Sequence, residues 1–244
     1  LQRGLIHFQL EIWQPSMGRE FNQFVARGEI LDVGTHDARV IEEWWYPEYV
    51  KDVCPELPNW ESLNRCAALF SKTKQSNKGL YFTGPWYYSD AHIIRALHLN
   101  FTLERKPDGM SLWQELKAAH SENRPILLLN WSPNWTDIEI KGQFVEFPAF
   151  TPECETDPTW GLNPELTNDC GNIRNGWLKK AATPSLPRTH PCVYQFIKRV
   201  SFSHDMVAYA AYLLVAKALS EEDAVEVMLE KYEDEINKWQ PNAC

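Results

Sequence analysis

The stretch PILLLNW, from Pro125 to Trp131, constrains the fold more than any other part of the chain. An apolar run bounded by Pro125 and Pro133 reads as a strand buried on both faces, which needs a covering layer on either side. The rest of the sequence supplies those layers. Leu5 to Trp13, LIHFQLEIW, alternates and is rich in strand formers, Ser16 to Arg27 carries Phe21, Phe24 and Val25 at helical spacing, and Glu29 to Val33 is a second short strand before a Gly34-Thr35-His36 turn. Ala38 to Glu43 is expected as a short helix, Trp60 to Phe70 as a longer one, Ser71 to Lys78 as a polar loop and Tyr81 to Thr83 as a strand. Further helices are expected over Ser89 to Leu97, capped by Ser89, and over Ser111 to His120, with a strand at Gln143 to Phe147. Pro148 to Pro187 reads as one long irregular stretch. The last third is helical: Pro191 to Val200, Ser203 to Ala218, and Glu221 to Trp239 opened by the capping box Ser220-Glu221-Glu222-Asp223. Strands alternating with helices predict an α/β fold.

The chain's 244 residues suffice for one large domain or two lobes, with 24 Lys and Arg set against 33 Asp and Glu for a net charge of -9. That balance leaves no broad cationic field for phosphates, so nucleic acid is not an expected partner. The longest apolar stretch, Met206 to Leu219, is interrupted by Lys217 and is too short to span a bilayer, which makes it a buried helix. No G-x-G-x-x-G and no P-loop occurs, so no nucleotide cofactor is expected, and no cofactor or metal of any other kind. The six cysteines, Cys54, Cys66, Cys154, Cys170, Cys192 and Cys244, lack zinc-site or C-x-x-C spacing and read as the disulfides of an exported protein, the alternative being buried free thiols. Six cysteines allow about 15 full pairings, among which Cys154 with Cys170 closes a local loop. Sequons at Asn100, Asn130 and Asn134 fit a secreted glycoprotein, although Pro133 follows the second. The chain opens at Leu1 rather than at a start methionine, so the expectation is that processing or truncation removed what preceded it.

The chemical signal is aromatic: 11 Trp beside 9 Tyr and 11 Phe. Three clusters sit at ends of expected elements beside proline: Trp13, the triplet Trp44-Trp45-Tyr46, and Trp131 with Trp135. Indole faces suit a quaternary ammonium or sulfonium, whose diffuse charge cannot hydrogen-bond but is drawn to the ring quadrupole. Three faces at about 1–2 kcal/mol each fall short of the roughly 8 kcal/mol of micromolar binding, so polar groups must add the rest. The competing reading is that these rings fill cores. Paired acids, Glu42-Glu43 and Glu153 with Glu155, suggest acid/base catalysis, and His36-Asp37 and His204-Asp205 suggest a metal site or dyad, but no nucleophile elbow or H-E-x-x-H accompanies them. The amphipathic tail from Ala224 to Trp239 reads as core packing rather than a docking helix.

The pieces EIWQPS at Glu11 to Ser16, WWYPEYV at Trp44 to Val50, NKGLYFTGPW at Asn77 to Trp86, NWSPNW at Asn130 to Trp135 and PECETDPTWGLNPELTNDCG at Pro152 to Gly171 occur in that order, followed by KWQ at Lys238 to Gln240. In order and spacing they resemble the substrate-binding proteins of ABC transporters for glycine betaine, choline and related compatible solutes, over nearly the whole chain from Ile12. The resemblance implies a two-lobed periplasmic-binding-protein fold of the Venus-flytrap kind and no enzymatic activity. Residues 1–39 with 133–244 would form lobe I, and 40–132 lobe II. It implies an aromatic box between the lobes for glycine betaine, choline or trimethylamine N-oxide, with Trp13 from one lobe and Trp45 and Trp131 from the other. Trp44, Tyr46, Trp86, Asn130 and Trp135 are further candidates, and Cys154 with Cys170 matches a cysteine pair in part of the family. An ABC transporter membrane component would be the partner, and the location extracytoplasmic. Relatives carry a segment before the position of Trp13, so the chain is expected to be N-terminally incomplete: a fragment, one of two chains, or an altered fold. The six cysteines also leave room for a secreted structural or signalling protein that keeps the scaffold and binds a protein partner through a repurposed cleft.

Overall fold

A computed structural model of the protein describes residues 1, 3–73 and 76–241. Its strands are β1 (Phe8–Trp13), β2 (Leu31–Pro47), β3 (Gly79–Thr83), β4 (Phe101–Arg105), β5 (Leu128–Ser132), β6 (Gly142–Phe144) and β7 (Gly176–Ala182), with helices between them, the α/β arrangement expected. The chain divides into two compact units, one made of Leu1–Ile41, Ser132–Glu139 and Asn175 onward, the other of Glu42–Trp131 and Ile140–Arg174.

In the first unit β7 lies between β1 and β2, antiparallel to both. Helix Gln14–Ala26 leaves β1 directly, with Pro15 in its first turn, where a missing N–H costs nothing. It ends at Gly28, whose φ of +70° permits the closing bonds Gly28 N–H to Val25 O and Glu29 N–H to Phe24 O. Phe21 on its inner face joins Ile12, Ile30 and Ala181 in one apolar cluster. Sequence expectations fail here in two places. The turn at Gly34 and the helix from Ala38 to Glu43 are both part of one 17-residue strand. Gly34, at φ +103°, accommodates a bulge, and Ala38 and Val40 are buried while Asp37 and Arg39 are exposed, the period of two that belongs to a strand.

The second failure is β7, which falls inside the stretch expected to be irregular. Its buried set is Gly176, Leu178, Lys180, Ala181 and Ala182, and the lysine disguises the apolar pattern. Lys180 is 1% exposed because its amine donates to the carbonyls of Lys198 and Val200 at the end of helix Pro191–Arg199, where the dipole favours a cation. The C-terminal helices form as expected, with Ser203 and Ser220 accepting the N–H groups of Met206 and Asp223, but the last one breaks at Tyr232 into Glu221–Lys231 and Glu233–Asn237.

In the second unit the end of β2 pairs with β5 and β6, and β3 runs parallel to both β4 and β5. Helix Gly109–Ser121 starts where Asp108 accepts the Ser111 N–H. Ser89 precedes helix Asp90–Ala96 but makes no side-chain capping bond. The segment Ile140–Arg174, assigned to lobe I from sequence, belongs here. Its ties are Val145 N–H to Trp44 O, Glu146 N–H to Pro58 O and the Asn163 amide to Ala96 O. Disulfides join Cys54 to Cys66 and Cys154 to Cys170, and among the described residues no cysteine is free; Cys244 lies outside them. Among the sequons Asn100 is exposed, whereas Asn130 and Asn134 are buried. No helix among the described residues is long and apolar enough to cross a membrane.

Candidate ligand-binding site

Trp131 stands near the C-terminal end of the interior strand β5, half-buried, with the Asn130 carboxamide accepting the Trp131 N–H at 2.8 Å. Two other indoles meet it. Trp86 stands edge-on at 5.3 Å between ring centroids and 84°, and Trp113, from helix Gly109–Ser121, lies 4.8 Å away at 55°. Trp86 is held from two sides. Its six-membered ring rests on Gly84, where a Cβ would come within 2.1 Å, and the Arg105 guanidinium donates to its carbonyl at 3.1 Å. Trp86 is 38% exposed while Trp113 is buried, so the cluster has an anchored floor and an open rim. Trp113 was missed in the sequence because it lies among Leu112, Leu116 and Ala119 on an ordinary apolar helix face.

The other candidates make different contacts. Trp44 is fully buried: it stacks on Tyr81 at 3.9 Å, meets Phe101 and Phe147 edge-on, and donates its indole N–H to Asp90 at 2.8 Å. No face remains for a guest, so Trp44 is a core residue. Tyr46 is fully buried as well, with its hydroxyl bonded to Gln143. Trp45 covers Gly142 on β6, where a Cβ would come within 1.9 Å of its ring. In the first unit Trp13 is 7% exposed and donates to the Glu11 carboxylate at 3.1 Å, and Trp135 is buried.

The acids singled out for catalysis are structural or exposed. Glu42 accepts the Tyr88 hydroxyl at 2.7 Å, and Glu43 accepts two backbone N–H groups, from Trp44 at 2.9 Å and Asn172 at 2.7 Å. Burial pushes the Glu43 carboxyl up to about 7 against the pull of those two bonds, and pushes Asp90 up to about 6 despite the Trp44 indole N–H bonded to it. Beside Glu43 lies a cavity of about 450 Å³ walled by Phe147, Phe150, Gly171, Asn172, Ile173 and Arg174. Glu153 and Glu155 are exposed on the short helix Pro152–Thr156.

His36 has both ring nitrogens committed, Nε2 to Leu10 O at 2.7 Å and Nδ1 accepting the Phe202 N–H at 2.9 Å, with Phe202 stacked on it at 4.6 Å. It is a neutral core histidine. Burial lowers its pKa to about 4, with Lys180 adding to the effect. An unfolded histidine titrates near 6.5, so the unfolded chain binds the proton more readily, and the His36 contribution is complete above that pH and lost as pH falls toward 4. Unfolding free energy is expected to drop by about 1.5 kcal/mol from this residue between pH 6.5 and pH 5, measured by urea denaturation, with that component missing in His36→Gln. His204 lies 3.3 Å from Asp137, beside a cavity of about 300 Å³ that also includes Asp205 and Lys231. Among the described residues no group of three or more His, Cys, Asp or Glu side chains could hold a metal ion.

The pattern of the substrate-binding domain of ABC-type glycine betaine transport systems matches residues 1–231. The chain belongs to that family. It is 32% identical over 252 residues to the trimethylamine N-oxide-binding protein of Pelagibacter ubique (strain HTCC1062), an alignment covering 99% of this chain and 76% of the relative. Among solved structures this family member resembles a glycine betaine/L-proline-binding protein of an ABC transporter from Borrelia burgdorferi, with a TM-score of 0.72 and 15% identity over 99% of this chain and 81% of that one. It also resembles an ABC-transporter choline-binding protein in complex with choline, with a TM-score of 0.70 and 14% identity over 98% and 75%. At such identities these neighbours establish the fold, that of the two-lobed periplasmic binding proteins.

Proposed function

We propose that this chain is the extracytoplasmic binding component for a small methylated solute, trimethylamine N-oxide, glycine betaine or choline, which it passes without chemical change to the membrane component of an ABC transporter. The observation that carries the reading is the Trp131–Trp86–Trp113 cluster in a family member whose curated relative binds trimethylamine N-oxide. Trp131 and Trp86 are the proposed walls for the methyl-clad head, Asn130 fixes the Trp131 backbone, and Trp45 and Trp13 are proposed as further indoles. Two desolvated faces supply about 4 kcal/mol, half of what micromolar binding needs, which leaves a comparable share to polar partners of the carboxylate, hydroxyl or oxide. Calorimetric titration with the three solutes is expected to show one-to-one micromolar binding of at least one. No heat and no thermal shift with any of them would defeat the proposal in favour of a scaffold that binds a protein.

A further inference from the structure

The second unit carries a buried acid that its aromatic chemistry does not use. Glu43 is 1% exposed, and its two carboxylate oxygens bind different parts of the chain: one accepts the Trp44 N–H at 2.9 Å, the other the Asn172 N–H at 2.7 Å. The neighbouring backbone reinforces the second contact. The Asn172 side-chain amide donates to Glu42 O at 2.9 Å, and Gly171 packs so closely that a Cβ there would stand 2.6 Å from the Glu43 oxygen. Gly171 and Asn172 wall the cavity of about 450 Å³. Residues two apart on a strand point to the same face, so Glu43 and Trp45 share one side of β2.

We propose that Glu43 is a positioning residue for the ligand site: its ionised carboxylate clips the Gly171–Asn172 segment to the strand bearing Trp45, and protonation releases the clip. Two N–H donors aimed at one carboxyl group favour the ionised form, and their hold weakens when one oxygen carries a proton. Burial opposes ionisation, and the groups facing Glu43 divide: Asp90 from its helix disfavours a second negative charge, while Arg174 supports it. Tyr81 on β3 also feels the Glu43 charge. Release breaks the Asn172 bond and leaves Glu43 buried, so the carboxyl, already raised to about 7 in the clipped state, binds its proton still more firmly once that donor is gone, and falling pH favours release. The link to solute affinity rests on the function proposed above, whereas the clip itself does not.

The test reads both in the intact chain. Amide exchange at Asn172, corrected for the intrinsic rate, is expected to lose about tenfold in protection between pH 8 and pH 6, the range one proton with a midpoint near 7 allows. Trimethylamine N-oxide affinity, measured by calorimetry, is expected to fall by about tenfold over the same interval. Glu43→Gln should flatten both profiles near the wild-type values at pH 6, and Asp90→Asn, which removes a like charge, should move the midpoint down. Equal protection at both pH values in the wild type, or a step that survives Glu43→Gln, overturns the clip. A protection step with constant affinity overturns its positioning role. Absence of solute binding at both pH values, with the protection step intact, defeats the proposed function and leaves the clip supported.

Discussion

Trp44→Ala is expected to cost about 3–5 kcal/mol of stability, the range for truncating a large aromatic in a closed core. The ring has no exposed surface, and its removal leaves Tyr81 without its stacking partner at 3.9 Å and Phe101 and Phe147 without an edge contact. It also removes the indole N–H that Asp90 accepts at 2.8 Å, from a carboxyl that is 1% exposed and that burial already pushes up to about 6. The two contributions separate in Trp44→Phe. A phenyl ring keeps most of the stack and loses the donor, so that variant is expected to cost about 1.5–3 kcal/mol, the value of a hydrogen bond to a charged group. Guanidinium denaturation monitored by circular dichroism gives both numbers. A loss below about 1 kcal/mol in the alanine variant, accompanied by a large loss of solute affinity, would contradict the core assignment and return Trp44 to the ligand wall.

That distinction shows where the sequence could be read and where it could not. The triplet Trp44-Trp45-Tyr46 announces an aromatic site or core, but successive residues on a strand face opposite ways, and which face meets the interior depends on partners far away in the chain. Trp44 faces Tyr81 and Asp90; Trp45 covers Gly142, almost a hundred residues further on, a juxtaposition that local pattern cannot reveal. The chain passes between the units at Ile41/Glu42 and Trp131/Ser132, each beside a conspicuous strand. Ile140–Arg174 was misplaced because its ties to the second unit are backbone bonds and amide contacts, to which residue type gives little clue. Strand β7 was missed for a related reason. Lys180 occupies an inward position that only an apolar residue would advertise, and it is tolerated there because two helix-end carbonyls receive its amine. Trp113 was passed over for the opposite reason: an apolar residue on an apolar helix face carries no functional mark until the structure sets it beside Trp131.

Trp131→Ala is expected to weaken solute binding by about 30-fold, equivalent to about 2 kcal/mol for one desolvated indole face, with the chain still folded. Trp131 is the ring common to the Trp86 and Trp113 contacts, so its removal opens the middle of the cluster rather than one edge. Its half-exposed position makes the stability cost smaller than that of Trp44. A lower affinity alone would not separate a cation–π wall from simple loss of apolar contact. Choline and its uncharged analogue 3,3-dimethylbutan-1-ol have the same shape at the head, and the difference between their affinities measures what the charge contributes. In the wild type choline is expected to bind at least tenfold more tightly than the analogue, and in Trp131→Ala the ratio is expected to shrink to a few-fold, because the ring quadrupole is attracted only to the cation. Equal losses for the two ligands would make Trp131 a shape filler. Unchanged affinity for both would place the guest away from this cluster and shift the search to Trp45 and Trp13, where the corresponding alanine variants apply the same comparison.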